Sequence, residues 1–112
     1  MADNVYTVKV TTQAEEQLQE ILKYIASELK APKTALRLLN EMERLISSLS
    51  QFPQRVALTE EEPWRICGVR KMPVKNFLIY FWIDEENSKV QVIAVIYGKR
   101  DQLKQLLLKE TE

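Results

Sequence analysis

The chain has 112 residues, of which 46% are hydrophobic and 29% are charged, with only 2 glycines and 4 prolines. This composition is typical of a packed globular protein, and we predict a single domain over residues 1–112. Lys plus Arg and Asp plus Glu both number 16, so the bulk charge gives no reason to expect strong, sequence-independent binding to nucleic acid. Any basic surface must therefore be local.

Histidine is absent from the sequence, and cysteine occurs once, as Cys67. The lack of histidine excludes Ser-His-Asp and Cys-His catalysis and histidine-based metal sites, and we predict no metal and no cofactor. A lone cysteine cannot form an internal disulfide, which suits a reducing cytosol. The first residues do not read as a signal peptide, and no apolar run approaches the roughly 20 residues that span a bilayer. We therefore expect a cytoplasmic protein without a membrane partner.

A strand followed directly by a helix is predicted at the start of the chain. In residues 5–10, Tyr6, Val8 and Val10 alternate with other side chains, as in a half-buried strand. Thr12 and Glu15 have the spacing of a capping box, which predicts a helix start. Apolar residues then recur at helical spacing as far as residue 29 or 30, namely Ala14, Leu18, Ile21, Leu22, Ile25 and Leu29.

A second helix is predicted from Pro32, which fits a first helical turn, to about residue 50, where Phe52-Pro53 closes it. Its apolar stripe consists of Ala35, Leu38, Leu39, Met42, Leu45, Ile46 and Leu49. The connection between the two helices is so short that they must run antiparallel. Their apolar stripes can then share a third surface, which we predict to be a sheet.

Three strands are predicted in the second half of the chain, from Trp64 to Met72 with an interruption at Gly68, from Phe77 to Ile83, and from Val90 to Tyr97. Residues 56–63 form a polar, acidic connection, and residues 84–88 a hairpin loop. The unbroken apolar run from residue 77 indicates a central strand covered on both faces. A short helix is predicted over residues 101–108. The fold class is thus α+β, an antiparallel sheet packed by an N-terminal helical hairpin, in the order β-α-α-β-β-β with a short C-terminal helix.

Four stretches of the chain, taken in their order and spacing, resemble the RelE/ParE superfamily of toxins. They are residues 8–14 entering the first helix, residues 49–53 leaving the second, residues 68–81 across two strands, and residues 95–101 at the end of the sheet. The long helical hairpin, the Leu-x-x-Phe-Pro exit and the closing Gly98-Lys99-Arg100-Asp101 look like the ParE branch. The resemblance implies the RelE/ParE fold and a toxin of a bacterial type II toxin-antitoxin system. It also implies a cognate antitoxin as partner, in a hetero-oligomer with it or beside a homodimer of the toxin.

The two branches of the superfamily that the chain resembles differ in activity. Members of the ParE branch poison DNA gyrase and so block replication, whereas the RelE branch cleaves mRNA on the ribosome with Lys and Arg residues and a late tyrosine. Arg70 and Arg100 match two of those basic positions, but Phe77 stands where a strand arginine is expected, and residues 101–108 contain no tyrosine. We therefore interpret the chain as a gyrase poison that is not an enzyme. The alternatives are a ribosome-dependent endoribonuclease, with Arg70, Lys71 and Arg100 as catalytic residues, and a non-toxic interaction domain.

Basic residues are the main candidates for target binding, because several could converge on the sheet face away from the helices. The candidates are Arg65, Arg70, Lys71, Lys75, Lys99, Arg100 and Lys104. The alternative interpretation is that they are solvated side chains at strand edges. The target-binding hypothesis rests on Arg65, Arg70, Tyr97, Lys99 and Arg100.

Apolar and aromatic residues supply the remaining candidates. We expect the antitoxin to bind the leucines of the last helix, because they exceed what one small helix face needs; they are Leu103, Leu106, Leu107 and Leu108. Trp64 and Trp82 could anchor a partner, although packing is the expected role of Trp82 and Trp64 is the more open of the two. Tyr97 is expected to cap the core, and Cys67 to be a buried or half-buried strand residue.

Overall fold

The computed structural model describes residues 5–97, in which two helices pack on one face of a four-stranded sheet. The helices are α1, Thr12–Lys23, and α2, Pro32–Ser47. The strands are β1, Thr7–Val10; β2, Arg70–Val74; β3, Phe77–Asp84; and β4, Lys89–Tyr97. The α+β class and the order of these elements are as predicted. The expected helix over residues 101–108 lies outside the described residues.

Helix α1 begins one residue earlier than the predicted capping box implies. The side-chain oxygen of Thr11, and not of Thr12, accepts a hydrogen bond from the backbone N–H of Ala14 at 3.2 Å. The reason lies in the sheet, because the N–H of Thr11 donates to the carbonyl oxygen of Val92 at 3.0 Å and so holds Thr11 in an extended conformation. The helix can therefore start only at Thr12.

The helical hairpin follows the predicted stripes closely. Helix α1 continues through one turn of π-helix, Tyr24–Glu28, and Lys30 then takes a left-handed conformation with φ of 52°. Helix α2 starts with Pro32 in its first turn and continues through a 3₁₀ turn, Ser48–Ser50. The buried helical residues all belong to the two stripes, and they are Ala14, Leu18, Ala35, Leu38, Met42, Ile46 and Leu49.

The sheet is mixed, with strand order β1-β4-β3-β2. The three late strands pair antiparallel, as predicted, and β1 joins the outer side of β4 in parallel. The main core lies between the hairpin and the sheet face that carries Phe77, Ile79 and Phe81. A smaller apolar cluster of Val69, Tyr80 and Ile96 lies apart from this core. Strand β3 is thus central, but its Trp82 is 39% exposed, so it is not covered on both faces along its whole length.

The predicted strand from Trp64 to Met72 is wrong over its first half. Strand β2 begins only at Arg70, and residues 62–68 form a series of turns. Backbone hydrogen bonds from Arg65 to Glu61 and from Cys67 to Pro63 compact this segment, and Gly68, with φ of 84°, redirects the chain before the strand. Cys67 is consequently exposed in a turn and is not a buried strand residue. No helix within residues 5–97 is long and apolar enough to cross a membrane.

Candidate functional site

Arg70, the first residue of β2, joins the sheet to the connection that follows the helical hairpin. It pairs with Phe81, whose side chain is fully buried in the main core, so Arg70 lies on the helix side of the sheet. Its Nη1 donates to the backbone carbonyl oxygens of Val56 at 2.6 Å and of Gln54 at 3.3 Å. The guanidinium group of Arg70 therefore already has hydrogen-bond partners within the protein, and it holds residues 54–56 against the start of β2.

Lys71 lies on the opposite face of β2, because successive residues of a strand point to opposite faces. It pairs across the sheet with Tyr80, and its Nζ lies 3.3 Å from Oε2 of Glu61. Oε1 of the same carboxylate accepts a hydrogen bond from the hydroxyl of Thr59, which is fully buried. Arg70 and Lys71 thus present their cations on different sides of the sheet.

The contacts around Glu61 shift the pKa values of Glu61 and Tyr80. The hydrogen bond from Thr59 lowers the pKa of Glu61, and Lys71 adds to the effect, while burial opposes it. Burial raises the pKa of Tyr80, and the nearby charge of Glu61 raises it further. The negative carboxylate and the neutral phenol are therefore both favoured at neutral pH, and these contacts fasten residues 59–61 to the sheet.

Phe77 and Tyr97 form an aromatic pair where β3 begins and β4 ends. Their ring centroids lie 5.1 Å apart in an edge-to-face arrangement, with an angle of 69° between the planes. Phe77 is only 7% exposed, and Tyr97 is half-buried against the main core. Tyr97 therefore packs against the core as expected.

The described basic candidates do not form the single patch expected on the face away from the helices. Arg65 lies in the turn segment, with Nη1 3.4 Å from the carbonyl oxygen of Thr59, and Lys75 is exposed in the turn between β2 and β3. Arg70 and Lys71 lie on opposite faces of β2. Candidates that fall outside the described residues are Lys99, Arg100, Lys104, Leu103, Leu106, Leu107 and Leu108.

Sequence reasoning missed Thr59, Glu61 and Tyr80. In the sequence, Glu61 belongs to the polar, acidic connection over residues 56–63, and Tyr80 to a continuous apolar run. Only the pairing of Lys71 with Tyr80, and the return of residue 59 to the edge of β2, bring these side chains together. The one available signal was Lys71, a cation on a strand with an acidic connection before it.

A comparison with protein families gives one match that covers most of the chain. The family is described as the ParE toxin of type II toxin-antitoxin system, parDE, and its model matches residues 8–102. No curated protein matches the sequence.

Solved structures similar to this fold include toxins of toxin-antitoxin systems. The chromosomal ParDE system of P. aeruginosa is matched with a TM-score of 0.70 and 20% identity, over 87% of this chain and 100% of that chain. The RelBE2 complex of Mycobacterium tuberculosis is matched with a TM-score of 0.58 and 22% identity, over 83% and 98%. The E. coli RelBE complex is matched with a TM-score of 0.53 and 12% identity, over 85% and 99%. At these identities the matches show a shared fold.

Proposed function

The chain belongs to the ParE toxin family of type II toxin-antitoxin systems, and from that premise we propose that it is a toxin that poisons DNA gyrase. The family match over residues 8–102 is the observation that carries the proposal. Inhibition here is a matter of binding a protein target, with no bond made or broken by the toxin itself. We place this activity in the cytoplasm, and the antitoxin would hold the toxin inactive there.

The surroundings of Phe77 favour gyrase poisoning over RNA cleavage. The resemblance to the RelE branch leads one to expect an arginine at this position, where it would stabilise charge during scission. Phe77 is instead buried and packs against Tyr97. A phosphate placed at position 77 would meet the ring of Phe77 where the RelE branch would offer a guanidinium group.

Arg70 and Lys71, the candidates for RNA cleavage among the described residues, already have partners within the protein. Arg70 donates to two carbonyl oxygens, and Lys71 pairs with Glu61. They lie on opposite faces of β2, so converging on one phosphate would require both to leave their present partners. Arg100, the third candidate for RNA cleavage, lies outside the described residues and is also a candidate for contact with gyrase.

A cognate antitoxin is the second partner that we propose. The similar chains from Mycobacterium tuberculosis and E. coli come from toxin-antitoxin complexes. We propose that the antitoxin covers the apolar side chains near the end of the chain, Leu103, Leu106, Leu107 and Leu108. For gyrase we propose contacts by Tyr97, Lys99 and Arg100, with Arg65 and Arg70 contributing only if their present contacts open.

Expression of the chain under a tightly repressed promoter tests the proposal. We expect induction of the DNA-damage response, and purified chain should trap cleaved DNA on gyrase while ribosome-bound mRNA stays intact. Loss of a central interfacial arginine typically costs about 2 kcal/mol, or roughly thirtyfold in affinity, so Arg100→Ala should be strongly detoxified. Arg37→Ala, at an exposed position of α2, is the matched control and should remain toxic.

Two outcomes would overturn the assignment. Codon-specific mRNA cuts in a purified translation reaction, with supercoiling by gyrase unaffected, would make the chain a ribosome-dependent nuclease and direct catalytic tests to Arg70, Lys71 and Arg100. Absence of any growth defect from a folded, accumulated chain would make it a non-toxic interaction domain.

A further inference from the structure

The turn segment of residues 60–68 presents its largest apolar side chains to solvent. Ile66 is 83% exposed and Trp64 is 53% exposed, whereas most large apolar residues of the sheet are buried. Single exposed apolar residues are common, but here a tryptophan and an isoleucine stand two positions apart in one turn. The segment therefore exposes more apolar surface than its short length requires.

This exposure occurs in an ordered turn. Within it, the N–H of Arg65 donates to the carbonyl oxygen of Glu61 at 2.9 Å, and the N–H of Val69 donates to that of Trp64 at 3.0 Å. Its two ends are joined, because the N–H of Thr59 donates to the carbonyl oxygen of Val69 at 2.9 Å. A segment bound in this way displays its side chains with little conformational freedom left to lose on binding.

Neighbouring side chains fasten the same turn to the sheet. Lys71 pairs with Glu61, and the side chain of Trp82 lies against Gly68, where an added Cβ would stand 3.6 Å from Cδ1 of the indole. Oε1 of Glu62 accepts a hydrogen bond from the N–H of Ile66 at 3.3 Å. Trp64 and Ile66 are thus held outward by contacts of the residues around them.

The turn segment carries more negative than positive charge. Within residues 60–68 there are three carboxylates, Glu60, Glu61 and Glu62, and one cation, Arg65. Lys71 neutralises Glu61, and the guanidinium of Arg65 is directed at the carbonyl oxygen of Thr59. Glu60 and Glu62, both exposed, are left without a neighbouring cation in these contacts, and both precede Pro63 and Trp64 in the chain.

We propose that Glu60, Glu62, Trp64 and Ile66, the Trp64 surface, bind a segment of a partner protein in which Lys or Arg residues stand beside apolar side chains. An indole face attracts an ammonium or guanidinium group, and the carboxylates add ion pairs at the rim. Ile66 receives the apolar neighbours of the cation. This surface lies in a different part of the sequence from the Arg100 segment and does not depend on which target the toxin inhibits.

The two tryptophans allow a direct test on the full chain, because Trp82→Phe leaves Trp64 as the only indole. The probes are two synthetic peptides of equal length with the same leucines, one carrying lysines and the other glutamates. We expect the lysine peptide to shift the emission of Trp64 to shorter wavelength in a saturable way and the glutamate peptide to leave it unchanged. Fluorescence anisotropy of labelled peptide gives the affinity for variants that lack Trp64.

Variants decide whether the surface itself binds. Trp64→Ala and Ile66→Ser should each weaken binding of the lysine peptide about tenfold or more, and two exposed sites guard against one variant failing to fold. Glu60→Gln with Glu62→Gln should weaken binding and reduce its salt dependence, since glutamine keeps the acceptor for Ile66. The matched control is Glu15→Gln with Glu16→Gln on α1, which should bind as the parent does. Equal binding of both peptides, unchanged binding by Trp64→Ala and Ile66→Ser, or equal weakening by the control pair would overturn the proposal.

Discussion

Arg70 donates from Nη1 to the carbonyl oxygen of Val56 at 2.6 Å, across 14 positions of sequence. This bond joins the start of β2 to the connection between the hairpin and the sheet. Backbone carbonyl groups that lack a partner are costly when they are shielded from water, and a charged donor makes the stronger kind of hydrogen bond. A residue that the sequence offers for target binding therefore has a structural role as well.

Arg70→Ala should destabilise the fold by about 1–3 kcal/mol, because two carbonyl oxygens lose a charged donor. Urea unfolding followed by circular dichroism measures the change. Arg37→Ala, which removes an exposed arginine from α2, should alter the free energy of unfolding by less than about 0.5 kcal/mol. Equal midpoints of urea unfolding for the two variants would show that the hydrogen bonds of Arg70 do not stabilise the fold.

Phe77→Ala should cost about 3–5 kcal/mol, because it empties a buried site and removes the ring contact with Tyr97. The same unfolding measurement applies. Phe52→Ala is the control of matched chemistry, since Phe52 is 67% exposed, and its effect should stay within about 0.5 kcal/mol. A small loss at Phe77, similar to that at Phe52, would contradict its assignment to the core.

Glu61→Gln should remove a pH-dependent part of the stability. The pKa of Glu61 is lowered from 4.5 in the folded protein, so its ionised form stabilises the fold above that pH, and the stabilisation is lost as pH falls through the folded pKa. The side chain is 46% exposed, which keeps the contribution below about 1 kcal/mol.

Unfolding of the parent and of Glu61→Gln between pH 3 and 7 tests this. We expect the parent to be the more stable near pH 7 and the difference to shrink below about pH 4.5. Glu60→Gln, at the preceding exposed position, is the control. It leaves the contacts of Glu61 with Thr59 and Lys71 in place, so it should not show this pH-dependent loss of stability. A difference that grows on acidification would have the wrong sign.

Gly68→Ala should destabilise the fold by about 1–2 kcal/mol through backbone strain, because φ is 84° there and an L side chain disfavours that region. The new Cβ would make only ordinary contact with Trp82, so a steric clash adds little. Gly68→Asn should cost less, since asparagine tolerates a left-handed backbone better. The two thermal midpoints, compared with that of the parent, check the order, and an equal loss in both variants would point to packing instead of strain.

The sequence by itself determined the two helices, the last two strands and the family. Each helix has an apolar stripe that repeats at the helical period, and burial of that stripe decides the structure locally. The strand beginning at Phe77 was predictable for a similar reason, since a short unbroken run of large apolar residues can be satisfied only inside a core. The ParE resemblance drew on residues spread along the whole chain, and the family match over residues 8–102 confirms it.

Tertiary structure alone decided the features that depend on distant partners. A hydrogen bond from Thr11 to Val92 moved the cap of α1 by one residue, and β1 joined β4 in parallel because of the same pairing. The alternation of side chains across β2 separated Arg70 from Lys71, which the sequence lists side by side. Thr59 became buried, and residues 62–68 became turns, because contacts with the sheet outweighed the local preference of Trp64 to Cys67 for a strand. Local periodicity carries no record of such long-range contacts.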